Sequence, residues 1–280
     1  MITKTDVKII KGIDKYISTY SSIKTIIDNT VETWQPNRST TSKTNDTKLG
    51  KLAEGVVSAY IKTTMPHVQY LSYDDFRTNN FKKHAPFDGL LFLDSVPTLV
   101  LKNIIDEMNI EITKNKYGKI TDTLKYKSLI NHLFITEIKS TRVTNRHKNR
   151  DGNVDIDKLL ADDFLEYPKY IRVDKDNKIN NFQDYIKFLK ENRGFKCKNE
   201  LSCEDNIKKI EKANMRHIYI RVYIDEFTNT AYIIGCINMQ EFLKNVVLKK
   251  MKQYGKSEMA IYLSTSLKNG VNIDFLSNIK

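Results

Sequence analysis

Strict alternation of apolar and polar positions marks the most regular part of this chain. His217–Asp225 alternates along its whole length, and Ala231–Ile237 is a second apolar run beyond the polar segment Glu226–Thr230. Two such runs joined by a short polar connection predict a β-hairpin. Runs rich in β-branched and aromatic residues predict three earlier strands, at His67–Tyr73, Phe87–Leu93 and His132–Arg142.

Apolar residues at three- and four-residue intervals predict helices elsewhere in the chain. The predicted helices lie within residues 5–33, over Leu49–Ile61, around Leu99–Met108, over Asn181–Asn192 and over Met239–Lys249. Residues 37–47 are polar without periodicity, which predicts a loop, and residues 155–170 are expected to be partly helical. Residues 250–280 contain a strand-like run at Ala260–Ser264 and are interpreted as a C-terminal arm or a dimer contact.

Composition bears on the compartment and on the kind of partner. The 46 Lys and Arg residues exceed the 34 Asp and Glu residues, which gives a formal net charge of +12. This balance suits nucleic acid before membrane, although abundant Lys, Asn and Ile are also typical of an A/T-rich genome. No signal region or run of about 18 apolar residues is present, so we expect a cytoplasmic protein without membrane association. Cys197, Cys203 and Cys236 are too few for a disulfide framework and are expected to be reduced thiols.

Two charged side chains interrupt the apolar strand predicted at His132–Arg142. Glu137 and Lys139 are two positions apart, so both side chains leave the same face of a strand. Asp88 begins a second predicted strand, and an Asp beside Glu-x-Lys forms a compact site for a hard divalent cation. The carboxylates, the carbonyl of Ile138 and water would complete an octahedron. Lys139 would help to deprotonate an attacking water or steady the charge on a phosphate, which suits phosphodiester cleavage. An edge strand with a solvated Glu/Lys pair is the alternative.

These residues resemble the motif of the PD-(D/E)xK nuclease superfamily, the fold of most type II restriction endonucleases. The matching residues are Pro86-Phe87-Asp88 and Glu137-Ile138-Lys139, preceded by the helix that carries Glu54. The predicted order is helix, strand, strand, Glu-x-Lys strand, helix and two further strands. That order, over roughly residues 48–240, supports the resemblance more than the short motif does.

The resemblance implies an α/β fold with a restriction-endonuclease-like core, in which a central mixed β-sheet of about five strands is flanked by helices. We expect a single nuclease domain over residues 1–280, with an N-terminal helical segment and loop over 1–47 and a core over 48–249. Insertions are expected near residues 95–130 and 193–215, followed by the C-terminal arm at 250–280. The partner of the first insertion could be DNA, another subunit or solvent.

The resemblance also implies a Mg²⁺-dependent restriction enzyme that cleaves double-stranded DNA at a specific sequence, with Mn²⁺ as a substitute metal. Asp88, Glu137 and the carbonyl of Ile138 would bind the metal, Lys139 would activate the attacking water, and Glu54 would assist. No G-x-x-x-x-G-K-[ST] sequence occurs, so no nucleotide cofactor is expected. A self-contained enzyme of this size is expected to be a two-fold homodimer that cuts a palindrome.

Residues near the motif are candidates for contacts with DNA, and most of them are basic. One set, directly before Asp88, comprises Lys82, Lys83 and His84. A second set follows Lys139 and comprises Ser140, Arg142, Arg146, His147, Lys148 and Arg150. Arginines in such a cluster suit phosphate contacts or base readout, and a merely solvated loop is the alternative.

Two other functions are compatible with the sequence. The same chemistry could serve a structure-specific or low-specificity DNA nuclease of repair, phage or mobile-element origin, which smeared or branch-dependent cleavage would reveal. The chain could instead be a non-catalytic nucleic-acid-binding protein in which Glu137 and Lys139 form a surface pair. That alternative predicts no Mg²⁺ dependence and no effect of replacing Lys139 with alanine.

Overall fold

The computed structural model of this chain describes residues 1–18, 40–81, 83, 85–115, 118–166, 218–238, 241–242, 245, 247–252 and 259–279. Some of the sequence predictions lie outside these residues and are not considered further. They are most of the helical segment within 5–33, Lys82, His84, the helix at Asn181–Asn192, the insertion near 193–215, Cys197 and Cys203.

The described strands and helices have the following bounds. The strands are β1 (Lys8–Lys11), β2 (Val68–Ser72), β3 (Gly89–Leu93), β4 (Phe134–Arg142), β5 (Asp163–Glu166), β6 (Ile218–Asp225), β7 (Thr230–Asn238), β8 (Val247–Lys252) and β9 (Met259–Ser266). The α-helices are α1 (Lys15–Ser18), α2 (Thr40–Thr64), α3 (Tyr73–Phe76), α4 (Thr98–Lys114), α5 (Asp122–Ile130) and α6 (Ile156–Leu160).

A six-stranded mixed sheet with the order β1-β7-β6-β4-β3-β2 forms the centre of the fold. In this sheet β4 and β6 run parallel, while the other neighbouring strands are antiparallel. The mixed sheet and the α/β class confirm the expectation, but the sheet has six strands rather than about five. The additional strand is β1, which pairs with β7. The described residues also form a second sheet of three strands, in the order β5-β9-β8.

Apolar packing covers both faces of the central sheet. On one face, the buried stripe of α2 (Ala53 and Val57 among others) packs against Ile138 and Ile220. On the other face, β6 contributes Tyr219 and Tyr223 to a separate cluster. All eight residues of β6 are buried, as expected for a central strand covered on both sides.

The predicted insertion at 95–130 forms two helices that pack onto the sheet. Ile104 and Met108 of α4 are buried together with Leu124 of α5, against Leu90 of β3 and Ile135 of β4. These helices therefore contribute to the hydrophobic core of the described structure.

Three segments differ from their predictions because tertiary contacts decide the structure of short pieces. Residues 8–11, assigned to a helical segment, form β1. Residues 40–47, predicted as a loop, form the first turns of α2. Residues 247–249, predicted to end a helix, begin β8, which pairs with β9. Short apolar runs such as residues 8–11 are compatible with either structure when they are judged from spacing alone.

The described C-terminal residues form part of the fold, which corrects the prediction of an arm over 250–280. Strand β9 pairs with both β5 and β8. Farther along, Val271 exchanges two backbone hydrogen bonds with Cys236 of β7, at 2.8 and 2.9 Å. Ile273 and Leu276 then enter the α2-side core and are buried.

Gly235→Ala tests the packing of this segment against β7. A Cβ at Gly235, where φ is +152°, would meet the carbonyl oxygen of Val271 at 2.4 Å. We expect the free energy of unfolding to fall by about 1–3 kcal/mol. The matched control is Gly50→Ala in α2, where a Cβ meets nothing within 4 Å, and it should gain about 0.5–1 kcal/mol. Urea unfolding followed by circular dichroism measures both changes, and equal stabilities would contradict the packing described.

Candidate active site

The candidate site lies where β3 and β4 separate. The two strands pair only from Gly89–Thr136 to Leu91–Phe134, whereas β4 continues along β6 as far as Arg142. Asp88 stands at this point, and its N–H donates to the carbonyl oxygen of Thr136 at 3.1 Å. Its carboxylate Oδ2 accepts the backbone N–H of Ile138 at 2.6 Å. The side chain of Asp88 thus accepts the hydrogen bond that a backbone carbonyl would accept if the β3–β4 ladder continued.

Glu137 and Lys139 lie on either side of this hydrogen bond along β4. Lys139 Nζ donates to Glu137 Oε1 at 2.5 Å, so both side chains leave the same face, as strand geometry predicted. The side chain of Lys139 is 38% exposed and that of Glu137 is 24% exposed. The pair is therefore partly buried rather than fully solvated.

Glu54 reaches the same region from α2. It is buried, and its Oε2 accepts from the hydroxyl of Ser72 at 3.4 Å. Its negative charge contributes to raising the pKa of Asp88, so the two carboxylates are near each other. The structure thus brings together Asp88, Glu137, Lys139 and Glu54, the proposed catalytic set.

Three further charged residues in this region were missed by the sequence analysis. Lys51 Nζ lies 2.7 Å from Glu54 Oε1 and 2.6 Å from Asp74 Oδ2. Arg77 Nη1 lies 3.0 Å from Asp74 Oδ1. The side chains of Lys51, Asp74 and Arg77 are 13%, 4% and 5% exposed, so this is a buried network of ions. The three-residue spacings of Lys51 with Glu54 and of Asp74 with Arg77 were the available signals, but such spacings are common on any helix.

Negative charge accumulates around Asp88. Burial, the carboxylate of Glu137 and that of Glu54 raise the pKa of Asp88 well above its ordinary value, against the partial offset of Lys139 and Lys51. Burial also raises the pKa of Glu54, despite its contact with Lys51. Burial alone would lower the pKa of Lys51, but Glu54, Asp74 and Asp88 outweigh burial and raise it. An additional cation would relieve this repulsion.

The donor set agrees in type with a magnesium site. Asp88 and Glu137 offer carboxylate oxygens, the donors that Mg²⁺ prefers. Within the described ranges, no three carboxylate, imidazole or thiol groups are arranged to hold a metal by themselves. Mg²⁺ is commonly held by one or two carboxylates, with water and substrate phosphate as its other ligands. The residues present therefore fit a metal that is completed by water and substrate.

Several of the residues predicted to contact DNA form hydrogen bonds or ion pairs within the protein. Arg142 donates from Nε to Glu226 at 2.7 Å and from Nη1 to Asp46 at 3.3 Å, which fastens the start of α2 to the β6–β7 turn. His147 is 1% exposed, so its ring is not at the surface of the described structure. The backbone N–H of Thr144 donates to Nδ1 of His147 at 3.0 Å, so the ring is held against its own turn.

The remaining members of the basic set have mixed placements. Arg146 pairs with Asp162 at 2.8 Å, and Lys148 lies 3.3 Å from Asp225. Arg150 is exposed, and Ser140 and Lys83 are partly buried. The structure does not gather this set around Asp88.

Comparisons with known protein families, with curated proteins and with solved structures found no match to this chain. No helix among the described residues is both long and apolar enough to cross a membrane. Any assignment of function therefore rests on the geometry and chemistry of the site.

Asp88→Asn is expected to stabilise the fold at neutral pH. The amide oxygen can still accept the N–H of Ile138, while the repulsion from Glu137 and Glu54 disappears. We expect a gain of about 0.5–2 kcal/mol in the free energy of unfolding at pH 8. Because the pKa of Asp88 is raised by folding, the wild-type protein gains stability as the pH falls through that raised pKa. The advantage of the variant should therefore shrink on acidification.

Asp274→Asn provides a control of opposite sign. Burial alone would raise the pKa of Asp274, but hydrogen bonds from Lys8 and Tyr60 lower it overall. The variant should be less stable than the wild type at pH 8, and this deficit should fade only below about pH 4. Urea unfolding of the three proteins from pH 8 to pH 3 measures both trends. Parallel trends for Asp88→Asn and Asp274→Asn would rule out the electrostatic account of Asp88.

Lys51→Met should strongly destabilise the protein, because it leaves Glu54 and Asp74 without their shared cation. Removing one partner from a buried ion network typically costs about 3–5 kcal/mol. Lys127→Met is the control, since Lys127 pairs with Glu107 where the two side chains are 46% and 44% exposed. Its cost should be below about 1 kcal/mol in the same unfolding measurement. Similar losses in the two variants would show that Lys51 is not part of a buried network.

Proposed function

We propose that this chain is a Mg²⁺-dependent endonuclease of the PD-(D/E)xK type that cleaves double-stranded DNA, with the sequence specificity of a type II restriction enzyme. The observation that carries the proposal is the convergence of Asp88, Glu137 and Lys139 where β3 and β4 separate. Glu54 approaches the same point from α2, as the resemblance implies.

The order of elements supports the proposal. Helix α2 precedes the antiparallel strands β2, β3 and β4, and the Glu-x-Lys sequence lies on β4. Two further strands follow, with β6 parallel to β4 and β7 antiparallel to β6. This order agrees with the one that the resemblance implies, apart from the helix predicted at Asn181–Asn192, which lies outside the described residues.

Each site residue has a distinct chemical task in this proposal. Asp88, Glu137 and the carbonyl of Ile138 would hold Mg²⁺, and Glu54 would lie behind Asp88. The bound Mg²⁺ would supply charge stabilisation at the attacking and leaving oxygens. Lys139 would leave Glu137 Oε1 to orient the attacking water and to offset negative charge on the phosphate. The backbone N–H of Ile138 would keep the carboxylate of Asp88 in position.

The partner and the assembly are part of the same proposal. A net charge of +12 favours binding to a polyanion, and DNA is the polyanion on which this chemistry acts. A two-fold homodimer would place one such site at each strand of a palindrome.

Asp88→Asn separates catalysis from folding, because it is expected to keep a stable fold. Wild type and variant should be incubated with unmethylated phage or plasmid DNA, with Mg²⁺ and with EDTA. We expect discrete Mg²⁺-dependent fragments from the wild type and at least about a 100-fold slower reaction from the variant. Lys139→Ala should show a similar loss. Lys249→Ala, which removes an exposed lysine that pairs with Asp163 of the second sheet, should cleave normally.

The products decide among the three functions. A smear that is lost in Asp88→Asn would favour a nuclease of low specificity. Binding without cleavage on several DNAs would favour a non-catalytic nucleic-acid-binding protein. Fragments that persist in Asp88→Asn would show that the metal site lies elsewhere.

A further inference from the structure

Arg221 lies next to Lys139 in the central sheet. Strands β4 and β6 are parallel, and their register places Arg221 directly opposite Lys139. Neighbouring strands are about 4.8 Å apart, and alternate residues share a face. Arg221 Nη2 donates to the hydroxyl of Thr141 at 2.7 Å, which puts Arg221 on the same face as Thr141, Lys139 and Glu137. The guanidinium therefore belongs to the face that carries the candidate site.

The charge of Arg221 is buried without a carboxylate partner among the described residues. Arg221 is 8% exposed, and the hydrogen bonds of its guanidinium to described residues go to hydroxyl groups, those of Thr141 and Tyr223. Its Nε is buried and makes no hydrogen bond there. In contrast, Lys51 and Arg142 each lie within 4 Å of two carboxylates.

Tyr223 does not neutralise Arg221. Its hydroxyl donates to Asp162 Oδ2 at 2.5 Å and stands 3.4 Å from Arg221 Nη2. Burial raises the pKa of Tyr223 to about 12, although Arg221 itself acts in the opposite direction, so the phenol is neutral at physiological pH. The ring stacks near the guanidinium, with Arg221 Cζ 5.0 Å from its centroid. These contacts hold the guanidinium in a fixed orientation and connect it to the carboxylate of Asp162 only through the hydroxyl of Tyr223, without a direct ion pair among the described residues.

A buried cation without an anion is unfavourable, and arginine cannot lose its proton to relieve the cost. Buried charges of this kind are enriched at functional sites, where an anionic ligand can pair with them. The anion expected at Lys139 is the phosphodiester of the substrate, and a guanidinium suits two oxygens of one phosphate. The partly exposed side chain of Lys139 leaves an approach from that side.

We infer that Arg221 is a substrate-binding residue that holds a backbone phosphate of DNA beside Lys139. This inference rests on the proposed function, since it takes DNA as the ligand of the same face. It assigns to β6 a role in binding that the Asp and Glu-x-Lys motif does not contain.

Arg221→Met tests the inference through DNA binding in EDTA, where cleavage does not interfere. We expect fluorescence anisotropy with a labelled duplex to show about 10- to 100-fold weaker binding than the wild type. The slope of log affinity against log salt concentration is negative, and its magnitude should decrease by about one. The melting temperature should stay the same or rise, because the variant removes a buried charge without a direct ion pair among the described residues. Lys249→Met, an equal loss of charge at an exposed ion pair, should bind DNA within about twofold of the wild type.

Arg221→Lys provides a second test that keeps the charge. A lysine cannot hold two phosphate oxygens in the same way, so binding should still weaken while the salt slope stays that of the wild type. A lower melting temperature with unchanged affinity in Arg221→Met would overturn the inference and make Arg221 a structural residue. If Arg221→Met does not fold, wild-type affinity in Arg221→Lys would overturn the inference in the same way. If the wild type cleaves DNA and Arg221→Met binds as tightly, this inference alone fails. If the wild type binds no duplex, the proposed function fails with it.

Discussion

The hydrogen bond from the N–H of Ile138 to the carboxylate of Asp88 is the interaction on which the candidate site depends. It replaces the next link of the β3–β4 ladder with a side chain, so the two strands can separate without leaving a backbone donor unpaired. The same hydrogen bond fixes the carboxylate of Asp88 beside the residue that separates Glu137 from Lys139.

The charges around this hydrogen bond indicate that the region is not optimised for stability. Glu54 and Asp74 share Lys51 in a buried network that also includes Arg77, while Asp88 is kept in a position where its charged form is disfavoured. Arg221 is a buried cation on the neighbouring strand. Carboxylates and cations therefore lie close together without fully neutralising one another. Such arrangements are common at functional sites, where activity is often gained at the expense of stability.

The sequence predicted the centre of the fold better than its edges. The type and approximate limits of β6 followed from strict alternation, and those of β4 and β7 followed from long apolar runs rich in β-branched residues. The shared face of Glu137 and Lys139 could be predicted because side chains two positions apart on a strand leave the same side. The contact of Lys51 with Asp74 could not, since it depends on how α2 packs against the sheet. Strand β1 was missed because its partner, β7, lies far along the chain. Strand β8 was missed although its partner, β9, follows it closely.

The parallel pairing of β4 with β6 also has a consequence for how the chain folds. Thr141 and Arg221, which touch across this pair, are 80 positions apart, whereas β2, β3 and β4 are close together in the chain. Local pairings form sooner than distant ones, so β4 is expected to pair with β3 before it pairs with β6. One edge of β4 is then unpaired in the interval. An open, apolar edge strand can pair with another copy of the chain. Aggregation of this partly assembled form, more than the stability of the finished fold, is therefore expected to limit the yield of the folded protein.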